Sequence, residues 1–230
     1  MGTEDACRGR VTAGDRVLDV ACGTGVVARR ALAAVGPRGS VVGVDLTEAM
    51  LAVAERIEPQ VEWRLGDVMD LPLDDGSFDV VLCQAGLMFF PDRVAALAEM
   101  RRVLRTGGRL VVQVWGAAPA QAAFADVVEQ HGGRAVADRY RSPWSLPDPD
   151  ELLANVTAAG FTDVAVQIVP GMNRFESVDD FLSSTAVLLA DHINLDDLVA
   201  DTTEALAPYR TPEGTLNLPA PGNISTAHNP

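Results

Sequence analysis

The run RVLDVACGTGVVARRAL, residues 16–32, constrains the fold more than any other part of the chain. Residues 17–21 read as a buried strand, a tight Gly23-Thr24-Gly25 turn follows, and a helix opens at about Val26. Glycines at such a junction let backbone approach a ligand closely, and the unpaired amides of the helix start offer it polar contacts. The stretch therefore predicts a cofactor site.

Two cofactor chemistries compete for it. Gly23-x-Gly25-x-x-Ala28 matches a dinucleotide fingerprint, and Asp45 stands about 20 residues on, where such folds place a ribose-binding acid. Asp19 argues the other way. It lies two residues before the end of the first strand, so a pyrophosphate in the loop would meet its negative charge, whereas a sulfonium and an ammonium would be drawn to it. S-adenosylmethionine carries both.

Strands and helices alternate from Arg16 onward, which predicts a parallel sheet with helices on both faces. Further strands are expected at 40–45, 61–65, 78–83 and 110–114, with helices at 47–56 and from Pro91 to the Thr106-Gly107-Gly108 turn. Beyond Gly116 the pattern loosens. Helices are expected at about 120–130, 151–159, 178–190 and 195–207, and a strand at 161–169. Residues 216–218 and 224–227 compete for a last strand.

VLDVACGTG, then VVGVDLT at 41–47, GDVMDLPLDDGSFDVVLCQAGLMFFPD at 66–92 and LRTGGRLVVQVW at 104–115 resemble, in order, the motifs of class I S-adenosylmethionine-dependent methyltransferases. The chain is most similar to the ubiquinone/menaquinone C-methyltransferase-like (methyltransferase type 11) group. The resemblance implies a Rossmann-like, doubly wound, seven-stranded sheet, mostly parallel with one antiparallel strand taken from the tail. It also implies methyl transfer to carbon or oxygen of a small aromatic, quinone-like or polyketide-like acceptor.

The same resemblance assigns roles. Gly23 and Gly25 would pass beneath the methionine part of the cofactor, with Ala21 where the family commonly has Gly. Asp19 would act on its amino end. Asp45 would accept both ribose hydroxyls through its two oxygens, with Leu46 against the adenine and Met50 among the cofactor-binding residues. Asp67, between Gly66 and Val68, resembles the acid that takes the adenine amino group, and Gln84 would face the methyl donor. Met88, Phe89 and Phe90 would wall the reacting methyl, and Trp115, Phe124, Tyr140 and Trp144 would line the acceptor pocket. His131 is the candidate general base, although an isolated His commonly serves as a surface or capping residue. A methyl sulfonium is already activated, so positioning can supply most of the catalysis.

At 230 residues the chain fits one domain: a cofactor-binding core at 11–115, substrate-covering segments at 116–147 and 171–212, and a C-terminal strand region at 213–230. Only about fifteen residues precede the first strand, so those segments are expected to exclude water from the pocket. The formal net charge is −14, and the second half holds 5 Arg against 16 acids, which argues against nucleic acid. No His/Asp/Glu cluster has metal-ligand spacing. Cys7, Cys22 and Cys83 form no CxxC pair and are expected reduced and mostly buried. No signal peptide, myristoylation pattern or membrane span is read, which predicts a cytoplasmic monomer or homodimer acting on a small molecule. Two rivals remain: an NAD-dependent oxidoreductase, and a non-methylating cyclase or binding module on the same fold.

Overall fold

The computed structural model describes residues 11–189 and 191–230. Cys7, the remaining residues of 1–10 and Ala190 lie outside the described residues. The strands are β1 (Arg16–Val20), β2 (Ser40–Asp45), β3 (Glu62–Leu65), β4 (Phe78–Gln84), β5 (Leu104–Trp115), β6 (Thr162–Val169), β7 (Met172–Phe175), β8 (Leu216–Pro219) and β9 (Gly222–His228). The helices are α1 (Val26–Val35), α2 (Glu48–Ile57), α3 (Arg93–Val103), α4 (Pro119–Gly132), α5 (Arg134–Arg141), α6 (Pro149–Ala158), α7 (Val178–Leu189) and α8 (Val199–Ala205).

Two compact units result. The first takes residues 11–114 with Asp148–Val169 and Gly222–Pro230; the second takes Trp115–Pro147 and Pro170–Pro221. In the first, seven strands form one sheet in the order β3-β2-β1-β4-β5-β9-β6. The first five strands run parallel, and β9 is antiparallel to β6. The chain steps outward from β1 to β2 and β3, then returns to the other side of β1 for β4 and β5. That reversal opens a crevice at the carboxyl ends of β1 and β4, the place where such sheets hold ligands.

Side chains alternate across the sheet. Val17, Val41, Val80, Leu82 and Val111 share a core with Ala28, Ala31 and Val35 of α1. Leu18, Val81 and Val112, pointing the other way, are each 0% exposed, so the sheet is covered on both faces. This is why the strands read as nearly unbroken apolar runs.

The second unit has its own aromatic core. The Phe124 ring meets Tyr140 edge-on at 5.0 Å and Phe181 at 4.8 Å. β7 and β8 form a separate antiparallel ribbon, with Phe175 opposite Leu216, and Leu216 and Leu218 bury into that core. The apolar run at 216–218 therefore belongs to the ribbon, and residues 222–228 supply the last strand of the main sheet.

Other expectations shift in detail. Asp92, not Pro91, opens α3: its Oδ1 accepts the Ala95 amide at 2.9 Å. That helix ends at Val103, before the Thr106-Gly107-Gly108 stretch, which instead lies inside β5. The helix expected at 195–207 breaks into a 3₁₀ turn, Leu195–Leu198, then α8, then a second turn at Ala207–Tyr209, where Pro208 has no amide to continue it. No described helix is long and apolar enough to cross a membrane.

Candidate functional site

The loops leaving β1, β2, β3 and β4 surround one cavity of about 550 Å³. β1 contributes Val20, Ala21 and Gly23; β2 contributes Val44, Asp45 and Leu46, followed by Thr47 and Met50 of the α2 start. Gly66, Asp67 and Val68 follow β3, and Ala85, Gly86, Phe89, Phe90 and Pro91 follow β4. Each set stands at a strand's carboxyl end because parallel strands all point their exits the same way.

Asp45 ties this cavity together. Its Oδ2 accepts the Gly23 amide at 2.8 Å and its Oδ1 accepts the Thr47 amide at 2.9 Å. Each carboxylate oxygen can accept more than one bond, so both keep capacity for a ligand's hydroxyls. Beside it Leu46 is 71% exposed and Met50 45% exposed. Two exposed apolar side chains at a cavity mouth form a platform for a flat apolar group. Asp67 stabilises its own loop, its Oδ1 accepting the Met69 amide at 2.9 Å, and Val68 is buried behind it.

Asp19 stands beneath the loop rather than on the cavity surface. On β1 it shares a face with Val17, and its Oδ2 accepts the Ala28 amide in the first turn of α1 at 2.9 Å. Gly25 caps that helix and has no side chain with which to do so, so the carboxylate on the neighbouring strand supplies the missing acceptor. Asp19 is 1% exposed. Burial pushes its carboxyl up to about 7, the Ala28 bond lowers it, and the Asp45 charge raises it. A carboxyl so easily protonated is a weaker bar to a pyrophosphate than full charge would be.

Gly25 does not line the cavity. Its φ is +80°, and a Cβ there would lie 2.3 Å from the Trp63 indole. Gly43, paired with Trp63 across β2 and β3, would meet the same ring at 2.4 Å. The two glycines make room for one tryptophan. Cys22 is buried, and burial with the Asp19 and Asp45 charges pushes its thiol far above the usual range, which removes it as a nucleophile.

The β1 and β4 loops meet where Ala21 and Ala85 both adopt left-handed backbone, φ 55° and 54°. That conformation costs a residue with a Cβ about 1–2 kcal/mol, which is the physical reason glycine suits position 21. A Cβ on Gly86 would sit 2.7 Å from that of Ala21, so Gly86 lets the loops close up. Ala85 and Gly86 were not singled out in the sequence. Their only signal is their place directly after a central strand.

The remaining predicted residues divide. Phe89, 55% exposed, and Phe90 line the cavity, whereas Met88 is buried and does not. Gln84 is outside the lining, with its Oε1 buried and unpartnered. In the second unit Trp144 lines a separate cavity. Tyr140 and Phe124 pack in the core, and Trp115 is half-buried outside the lining of either cavity. His131 is paired with Asp201, Nε2 to Oδ2 at 2.7 Å, on the exposed side of α4.

The Methyltransferase domain family matches residues 18–112, the stretch that builds this cavity. Demethylmenaquinone methyltransferase of Staphylococcus carnosus is 36% identical over 179 residues, covering 70% of this chain and 74% of that protein. Among solved structures, a Bacillus halodurans protein described as a candidate methyltransferase superposes with a TM-score of 0.70 at 23% identity, covering 99% of each chain. The [4+2]-cyclase SpnF superposes at 0.60 and 23% identity, covering 99% of this chain and 80% of that one. The frame alone thus houses more than one chemistry. Sequence likeness decides the class: this is an S-adenosylmethionine-dependent methyltransferase. The chain belongs to the methyltransferase family that includes the S. carnosus enzyme.

Proposed function

We propose that the 550 Å³ cavity is the S-adenosylmethionine site and that the methyl acceptor is a small quinone-like aromatic. The observation that carries the site is Asp45, whose two oxygens are held by backbone amides at the cavity wall with exposed Leu46 and Met50 beside them. This acceptor and platform set fits a ribose with an attached purine. Asp45 takes the ribose hydroxyls, Leu46 and Met50 cover the adenine, and Asp67 with the Val68 backbone meets its polar edge. Ala21 and Gly23 lie under the methionine portion. Asp19, through the loop it supports, adds negative potential there.

Bound in this way, the cofactor supplies a methyl group already activated by its sulfonium. The chain's own part is to hold, orient and keep dry. Asp45 and Asp67 are the acidic side chains in the lining, and this reading commits both to the cofactor, Asp45 to the ribose and Asp67 to the adenine, rather than to proton transfer. Phe89 and Phe90 bring apolar surface to the same wall, which lowers the local dielectric around an acceptor oxygen. An acidic phenol or enol that arrives ionised needs only alignment at near-attack distance. The quinone-like acceptor follows from the S. carnosus relative, and transfer to carbon or oxygen is compatible with it. The acidic composition favours a small molecule over nucleic acid, and the reading is of a cytoplasmic monomer or homodimer.

The test is turnover. Purified protein with S-adenosylmethionine and chemically reduced demethylmenaquinone should yield a methylated product, stoichiometric with S-adenosylhomocysteine, by mass spectrometry. Turnover of unrelated phenols with none of the quinol would overturn the acceptor class.

A further inference from the structure

Residues 66–77 carry the chain from β3 to β4 with no helix or strand, only an isolated bridge between Asp67 and Asp70. A segment of that kind leaves backbone carbonyls without ladder partners, so something else must hold it in one shape. Here one side chain of α3 does so. Arg102 engages all five of its guanidinium donors. Nε bonds Glu99 Oε1 at 2.9 Å, Nη2 bonds Glu99 Oε2 at 2.8 Å and the Leu71 carbonyl at 3.0 Å, and Nη1 bonds the Leu73 carbonyl at 2.8 Å and Asp75 at 2.7 Å. Glu99 closes the ring, since its Oε2 also accepts the Leu71 amide at 3.1 Å. Both backbone groups of Leu71 are therefore fixed to α3. The Arg102 guanidinium holds the Glu99 carboxyl below the usual carboxylate range, so the pair stays ionised at neutral pH.

Two short links carry this clamp to the cofactor cavity. Leu71 directly follows the Asp67–Asp70 turn, in which the Asp70 amide donates to the Asp67 carbonyl at 3.1 Å. Pro72, between the two clamped carbonyls, packs so closely on Gly66 that a Cβ there would lie 2.9 Å from its ring. Asp67 is thus bracketed, by Gly66 against Pro72 on one side and by the turn into Leu71 on the other. Arg102 itself does not line the cavity.

We propose that Arg102 is a positioning residue for cofactor recognition: by clamping Leu71 and Leu73 to α3 it fixes where the Asp67 carboxylate stands, and with it the preference for a purine that bears the adenine amino group. The inference rests on the reading that Asp67 meets the polar edge of the adenine.

The probes are S-adenosylhomocysteine and its analogue with unsubstituted purine in place of adenine, which lacks the amino group alone, titrated calorimetrically into the full chain. Wild type should prefer the adenine compound by about 10–100-fold, the worth of one hydrogen bond to a charged group. Arg102→Met should remove about tenfold of that preference, all of it through S-adenosylhomocysteine, with the purine analogue held within about twofold of its wild-type affinity. Asp67→Ala should bind the two probes nearly alike, and adding Arg102→Met to it should move the preference by less than about twofold, because both changes act on one contact. Circular dichroism confirms the fold of each variant. If Arg102→Met fails to fold, Arg102→Lys replaces it and should lower the preference in the same way, since one ammonium cannot span both carbonyls as the planar fork does. A preference unchanged by loss of the guanidinium, with both probes weakened equally or not at all, would overturn the inference and leave Asp67 in place. No binding of either probe, no preference in wild type, or a preference that survives Asp67→Ala would remove Asp67 from the adenine and overturn the reading and the inference together.

Discussion

Asp45 Oδ2 accepts the Gly23 amide at 2.8 Å across 22 positions of sequence, so the carboxylate that ends β2 also holds the turn that follows β1. One residue thus shapes the loop and faces the ligand.

Asp45→Ala should lower S-adenosylmethionine affinity by about 10–100-fold, the scale of one or two hydrogen bonds to a charged group. The loop bond goes with it, so the melting temperature should fall modestly while the chain still folds. Calorimetric titration beside a thermal melt checks both, and undiminished affinity would remove Asp45 from the site.

Asp19 makes stability and binding depend on pH in opposite senses. Its carboxyl is raised from 3.8 to about 7, so the folded chain keeps a proton that the unfolded chain releases. The stability this provides is fully present below 3.8 and is lost as pH rises through about 7. A cationic cofactor favours the ionised form, so its binding should release a fraction of a proton near neutrality and strengthen as pH climbs from about 6 to about 8. Titration in two buffers of different ionisation enthalpy measures that release, and Asp19→Asn should abolish it. A release unchanged in the variant would assign the proton to another group.

Gly25→Ala should destabilise the chain by about 2–5 kcal/mol, the sum of a left-handed φ and a Cβ overlapping the Trp63 ring. Trp63→Phe in the same chain should recover the overlap share and leave the backbone share. A denaturant double-mutant cycle separates the two. Additive effects would show that the indole and position 25 do not interact.

The contrast between Asp45 and Trp63 shows what a sequence can carry. Asp45, at the end of β2, and Gly66 and Asp67, just past the end of β3, stand at the carboxyl ends of strands of a parallel sheet, and an alternating strand and helix pattern is enough to locate such positions. Trp63 matters because β2 and β3 pair Gly43 with it, and register between strands leaves no local mark. Asp19 is recognisable as an acid near the loop. Its direction depends on which face of β1 meets α1, and that turns it into the helix's cap. α5 escapes notice because RAVADRYR is about two turns long and buries only Ala137 and Tyr140. Residues 216–218 and 224–227 look alike as apolar runs, and only their partners, β7 and β6, tell them apart.

His131→Ala should leave methylation within about twofold and stability within about 1 kcal/mol, because a partly exposed His–Asp pair contributes little. Steady-state kinetics decide it. A loss of about a hundredfold or more, the scale of general-base catalysis, would make His131 the base that the cavity lining lacks.

The most direct test of the site assignment is calorimetric titration of the purified chain with S-adenosylmethionine, S-adenosylhomocysteine and NAD, side by side. The account predicts that both adenosyl compounds bind, that Asp45→Ala weakens both, and that NAD gives no heat of binding. Binding of NAD alone, or adenosyl binding untouched by loss of the Asp45 carboxylate, would contradict it.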